Sequence, residues 1–461
     1  ALSLNKAYYF DAIKTLTESG IYTLKFFGNS PEDSLDGLKN MLDNVKEIAT
    51  NPGVNRLYGK FKDKPAVIVA TGPSLNKNKH LLHEIKDKAL IISVDASLRI
   101  LLDMGIQPHL VTTLERGTEI VPFFDNFTEE QTKNTYLAGA PVIVDDIYKV
   151  YKGPRIIVYR NFEQFRWIGI DRGILEVKHS AGNMAFIVAA ALGCNPIILM
   201  GQDLAFSRDG YTHATGAHYG EKQDFQLVEG TIEVMGNDGL PILTNTGWNE
   251  FRRAYEIDIE KYSGRCINCT EGGAYINGTD VMPLREAIDK YVREEIFPLE
   301  IIKKHIAEFT ADTVHQDIAK VSEIVRDTLK DLNKMLEKSM EGMDLLRDEQ
   351  VFLNEMVLKA DHSREEGKKC EELRERAREI KNDFMKIQPT MQRFLMHMVQ
   401  SFFIKAEIDM NELPSKYDNP VQLEAAFSRE YLKWFAIMYD LVGICVKLLK
   451  DADQKLQGIE G

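Results

Sequence analysis

An α/β fold built on a mostly parallel sheet, with a helical N-terminal piece and an all-α C-terminal domain, is what three features of the sequence predict. Short apolar, β-branched runs alternate with helix-patterned stretches from about residue 61 to 285. One such run, Pro65 to Ala70, passes through a tight Gly-Pro turn straight into a helical pattern. Beyond about residue 286 the alternation stops, and apolar residues recur only at three-and-four spacing. The expected domains are therefore 1–60, 61–285 and 286–461.

Residues 1–60 read as helical. Tyr8, Ala12 and Leu16 mark one stripe, and Leu35, Leu38, Met41, Leu42 and Val45 a second, with Ser30-Pro-Glu-Asp-Ser34 as a turn between them. Sixty residues of helix are too few for a comfortable core of their own, so this piece is expected to pack on the next domain or to be the end of a larger one.

In the second domain, Pro65 to Ala70 has the unbroken apolar character of a strand covered on both faces. Gly72 allows close backbone approach, Pro73 suits a turn, and Ser74 is placed to cap a helix carried by Leu81, Leu82 and Ile85. A strand, a turn and a helix start in that order are suited to holding phosphate. The motif is neither G-x-G-x-x-G nor a Walker sequence, and an ordinary β-α turn has the same pattern. Ala89 to Val94 predicts a second strand, Ala96 to Met104 a helix closed by Gly105, and His109 to Thr113 a third strand. Val142 to Val144, Arg155 to Tyr159, Ile197 to Met200 and Cys266 to Cys269 are further strand candidates. In such sheets ligands bind at the carboxyl ends of the strands. That directs attention to Asp95, Glu115, Gln202 and Asp203.

The densest polar constellation follows. His179-Ser-Ala-Gly-Asn183 opens the apolar helix Met184 to Leu192, with Ser180 and Gly182 repeating the logic of the first loop. Asp203 follows a buried strand, where a carboxylate is costly unless paired or functional. Ser207 to His218 is a polar loop holding Arg208, Tyr211, His213 and His218. Residues 286–461 carry helical stripes such as Ile318, Val321, Val325, Leu329 and Leu332, with a break at Gln388-Pro389.

Composition narrows the function classes. A net charge of −13, from 57 basic and 70 acidic side chains, disfavours a nucleic-acid or anionic-membrane binder. The longest apolar stretch, Met184 to Met200, is broken by Gly193, Asn195 and Pro196, so no membrane span is expected. Five cysteines are an odd, sparse set that suits a reducing, cytoplasmic compartment. The lone Cys266-Ile-Asn-Cys269 reads as a structural strand, and no metal site is expected.

Ala70-Thr-Gly-Pro-Ser-Leu75, Ser180-Ala-Gly-Asn183, the run from Ala190 through Gly201-Gln-Asp-Leu-Ala205, and His213-Ala together resemble the motility accessory factor family. Its members are bacterial proteins implicated in attaching pseudaminic or legionaminic acid to flagellin. The resemblance covers about residues 50–285. It implies a cytoplasmic glycosyltransferase with a CMP-activated nonulosonic acid as donor substrate, flagellin as acceptor partner, and a role in flagellar assembly and motility. No tightly bound cofactor is implied, and magnesium is left open. Family members carry an N-terminal domain of their own, so the chain is expected to be truncated there.

The same segments are similar, more distantly, to bacterial sialyltransferases with a GT-A-like, Rossmann-like sheet. That likeness assigns Thr71, Gly72, Pro73, Ser74, Ser180 and Gly182 to the CMP donor, with Leu75, Asn183 and Gln202 beside them. Asp95 and Glu115 fall where those enzymes place donor-contacting asparagines, and Tyr211 near a tyrosine that assists the departing phosphate. Thr71 departs from their Asn. Around Leu243-Thr-Asn-Thr-Gly247 no histidine matches their general base, which leaves Asp203, His213 and His218 as catalytic candidates. The fold is also similar to that of 6-hydroxymethylpterin diphosphokinases, which implies an alternative: Asp95 and Glu115 holding magnesium for phosphoryl transfer from ATP. A third class is a non-catalytic, flagellin-binding adaptor.

Overall fold

A computed structural model describes residues 5–26, 31–218, 220 and 230–460. The chain divides into two compact units. One comprises 43–161 and 170–320, and the other 1–42, 162–169 and 321–461.

The first unit is built on eight strands: β1 Ala66–Val69, β2 Leu90–Val94, β3 Leu110–Thr113, β4 Tyr136–Gly139, β5 Arg155–Ile157, β6 Ile197–Met200, β7 Cys266–Asn268 and β8 Asp280–Val281. They form one sheet in the order β8-β7-β6-β1-β2-β3-β4-β5. Every pairing is parallel, with Val67 opposite both Ile91 and Ile198. Strands β1, β2 and β6 are buried along their whole length. This is why they read as continuous apolar runs rather than alternating ones. The helix Ala181–Ala191 is apolar almost all round and packs over β1, β2 and β3. An antiparallel hairpin, Thr231–Met235 with Pro241–Asn245, leads into the helix Thr246–Lys261.

Two expectations are corrected. The strand foreseen at Val142 to Val144 lies instead at Tyr136–Gly139. Val142 and Ile143 are apolar because they are buried in the following loop, where Asn44 Nδ2 donates to the carbonyls of Pro141 and Ile143 at 3.0 and 2.7 Å. A side chain thus satisfies backbone groups that a ladder would otherwise take. Ser74 makes no capping bond, and the helix behind it is only Leu75–Asn78 followed by the 3₁₀ turn Lys79–Glu84. One α-helical turn supplies little macrodipole for a phosphate. Residues 43–60 and 286–320 belong to the sheet unit by their contacts. Pro52 O accepts the Ile157 N–H at 2.9 Å, and Asp87 O accepts those of Ile296 and Phe297. Residues 43–60 and 286–320 are therefore bonded to the sheet layer.

The second unit is helical, including Gln350–Leu358, Arg364–Met385, Met396–Lys416 and Pro420–Glu460. Trp434 is fully buried there, edge-on to Phe384 and stacked on Phe403. Trp167 donates to Thr328 Oγ1 at 2.8 Å and packs on Phe394. Val321, Val325 and Leu332 of the stripe read from the sequence are buried, and Leu329 is half-buried. No helix among the described residues is long and apolar enough to cross a membrane.

Candidate active site

From β1 the chain steps outward through β2, β3, β4 and β5, then returns so that β6 lies on the other side of β1. The loops leaving the carboxyl ends of β1 and β6 diverge at this switch point, which is where open α/β sheets hold their ligands. The two loops are Thr71–Ser74 and Gly201–Leu204. Gly72 N–H donates to Gly201 O at 2.8 Å, tying them together.

Asp203 sits at the junction. Its carboxylate accepts the Ser74 hydroxyl at 2.6 Å and the Ser74 N–H at 3.2 and 3.3 Å. The loop after β7 closes on it from a third direction. Ala274 N–H donates to Asp203 O at 2.7 Å, and Thr270 Oγ1 accepts the Gln202 N–H at 3.1 Å. Gly273 has φ +73°, and a Cβ there would lie 2.4 Å from Asp203 Cα. Burial pushes the Asp203 carboxyl up to about 6, while the Ser74 bonds and the Lys77 charge pull the other way. The result is a fixed carboxylate that is ionised at neutral pH yet still able to take a proton.

Asp203 and Ser74 line a cavity of about 860 Å³, together with Lys77, Tyr211, Ile242 and Glu271. That volume lies within the usual range for small-molecule sites. Lys77 Nζ donates to Glu271 O, and Arg208 pairs with Asp238 at 2.6 Å.

On the other side of β1, Asp95 begins the helix Asp95–Asp103 at the end of β2. It accepts the Ala96 N–H at 2.8 Å and the Thr113 hydroxyl at 3.0 Å. Burial raises its pKa to about 7, and the nearby exposed Glu115 adds to the rise. A carboxyl raised in this way favours folding as the neutral acid. That contribution is complete below the unfolded value near 4 and is lost as pH rises through about 7. Asp95→Asn should therefore gain stability relative to the unsubstituted chain between pH 4 and pH 8, by up to roughly 4 kcal/mol. Urea unfolding at both pH values checks this, and a pH-independent difference would contradict it.

Residues 39–209 match a family model described as "MptE-like: 6-hydroxymethylpterin diphosphokinase MptE-like". This stretch includes β1 through β6 and both switch-point loops. No curated protein matches the chain. A solved structure, "Structure of MAf glycosyltransferase from Magnetospirillum magneticum AMB-1", is similar with a TM-score of 0.57 and 18% sequence identity. The alignment covers 93% of this chain and 63% of that one. At that identity the likeness establishes a shared fold.

The structure places the sequence-predicted residues unevenly. Pro73, Ser74, Asp203 and Tyr211 line the cavity. Thr71 O accepts the Ala214 N–H at 2.8 Å, which ties the His213 segment to the first loop. Ser180 caps the helix Ala181–Ala191 through a 3.1 Å bond from Asn183 N–H, and the Asn183 side chain donates to Phe251 O. Gln202 is buried and donates to Tyr255 Oη at 2.9 Å. Gly182 makes room for this pair, since a Cβ there would lie 2.4 Å from Gln202 Nε2. Leu75 is fully buried in the core beneath β1, so its side chain presents nothing to a ligand.

The two histidines are not among the cavity's lining residues. His213 is half-buried beside Thr212 and edge-on to Trp248, and burial lowers its pKa. His218 is exposed and edge-on to Phe123. Sequence reasoning missed Lys77 and the Thr270–Gly273 loop. The available signal was Glu271-Gly-Gly273 placed just after a strand, as Gly72 and Gly201 are placed after theirs.

Proposed function

We propose that this chain is a cytoplasmic glycosyltransferase that moves a nonulosonic acid, of pseudaminic or legionaminic type, from its CMP-activated form to Ser or Thr hydroxyls of flagellin, in the service of flagellar assembly. The observation that carries this reading is Asp203, held by three loops at the switch point, lining a cavity, and tuned to about 6. In the proposed step the acceptor hydroxyl gives its proton to the Asp203 carboxylate. The hydroxyl oxygen then bonds to the anomeric carbon, and the bond from that carbon to the phosphate oxygen breaks. CMP departs with the electron pair. A base whose pKa lies just below the working pH is well matched to this task. Asp95, Glu115, Thr71 and the Ser180 helix start are assigned to the donor, on the β2 and β3 side.

Nucleotide binding tests the proposal. CMP without magnesium is expected to stabilise the sheet unit, by roughly 2.7 kcal/mol at 100 times its dissociation constant, and ATP is not. Stabilisation only by ATP with magnesium would replace the reading with the diphosphokinase alternative, in which a metal bridges carboxylates and phosphates. Silence from both nucleotides would favour the adaptor alternative. A thermal melt followed through the nucleotide-sensitive transition distinguishes the three.

A further inference from the structure

Of the residues the sequence assigned to the donor, Pro73, Ser74 and Tyr211 line the cavity beside Asp203, whereas Asp95 and Glu115 do not. The cavity's lining comes from the loops after β1, β6 and β7, from the hairpin, and from β8 and the residues after it. Asp95 follows β2, and Thr113 ends β3 with Glu115 just beyond it, across β1 from that cavity.

Charge separates the two sides further. Four carboxylates, Asp203, Asp209, Asp238 and Glu271, line the cavity against two cations, Lys77 and Arg208. Both cations are already engaged, Lys77 on the Glu271 carbonyl and Arg208 on Asp238. A nucleotide phosphate or the carboxylate of an acidic sugar would meet net negative charge here, which disfavours either one. The apolar part of the lining points the same way. Tyr211 and Val281 are 39% and 43% exposed although they line the cavity, and Leu240 on the adjoining hairpin is 56% exposed. Val281 also belongs to β8, the edge strand of the sheet, whose outer side has no strand partner among the described residues. Exposed apolar side chains next to an open strand edge suit an extended polypeptide better than a free sugar.

Resting on the proposed function, we infer that this cavity is the acceptor side of the reaction, and that it takes an extended, hydroxyl-bearing peptide segment whose neighbouring side chains are neutral or basic. The peptide lies against the hairpin and the β8 edge and brings its hydroxyl to Asp203. The nucleotide stays on the β2 and β3 side.

The test uses the full chain and two fluorescein-labelled synthetic peptides, each with a central serine between aliphatic residues, flanked in one by lysines and in the other by glutamates. Binding is read by fluorescence anisotropy at 0.15 M salt, where charge attraction beyond about 8 Å is largely screened. The lysine-flanked peptide is expected to bind about ten-fold more tightly. Asp209→Lys should shrink that preference, and Val281→Trp should weaken both peptides by filling the mouth. CMP-induced thermal stabilisation should survive in both variants, which also reports that they fold. Equal binding of the two peptides, or a preference untouched by Asp209→Lys, would overturn the inference while leaving the glycosyltransferase reading in place. Loss of CMP stabilisation in Val281→Trp with peptide binding unchanged would assign the cavity to the donor instead. Failure of the unsubstituted chain to respond to CMP would remove the proposed function, whatever the peptides do.

Discussion

Asp203→Asn is expected to reduce sugar transfer by about 100-fold or more while CMP continues to stabilise the chain. Asparagine keeps an oxygen that can accept the Ser74 hydroxyl and N–H, so the three-loop junction persists. What disappears is the group proposed to take the acceptor proton. The pH dependence is the sharper readout. A base raised to about 6 is active when ionised, so the rate should fall as pH drops through about 6 and level off above it. Stability runs the opposite way. The neutral acid favours folding, so this contribution is complete below the unfolded value near 4 and is lost as pH rises through about 6. The ionised form therefore carries a cost of roughly 3 kcal/mol at neutral pH, a cost that the proposed role as base would explain. His213→Ala and His218→Ala should keep most activity, since neither side chain lines the cavity. An active Asp203→Asn beside an inactive histidine variant would transfer the role of base to that histidine.

The sheet was legible because burial on both faces imposes a local signature. Val67, Ile68, Ile91, Ile92, Ile198 and Leu199 are apolar for the same reason that they are buried. Apolar residues buried without ladder bonds are where that inference failed. Val142 and Ile143 look like a strand, but Asn44, almost a hundred positions away, supplies the partners for their loop. The switch-point loops were legible as places, through Gly72, Ser74 and Asp203. Their chemistry was not, because it depends on contacts between distant segments. Ser74 has the residue type of a helix cap or a phosphate donor. Only the return of β6 beside β1 brings Asp203 within 2.6 Å and gives both its hydroxyl and its N–H to a carboxylate. Helical periodicity at 43–60 and 286–320 reports an apolar face, not which layer covers it.

Gly72→Val separates two accounts of the first loop. In the sequence-level account this glycine lets a donor phosphate approach the backbone. The structure puts a different group there: a Cβ at residue 72 would lie 1.9 Å from Asp203 Oδ2 and 2.6 Å from Gly201 O. No shift of a flexible tip relieves the second contact, because it is backbone. Valine should therefore push the carboxylate out of its Ser74 bonds and part the β1 and β6 loops, at a stability cost of about 1–3 kcal/mol and a loss of transfer similar to that of Asp203→Asn. The accounts diverge in a double-mutant cycle with the smaller Gly72→Ala. If the glycine makes room for the carboxylate, Gly72→Ala costs less in an Asp203→Ala background, with a coupling of about 0.5–3 kcal/mol, and CMP affinity is the same in both backgrounds. The coupling stays below the whole cost, since the Gly201 carbonyl remains in place. If the glycine serves the donor, Gly72→Ala weakens CMP equally with and without the carboxylate, and the stability coupling is near zero. Urea unfolding and CMP titration of the four proteins decide between them.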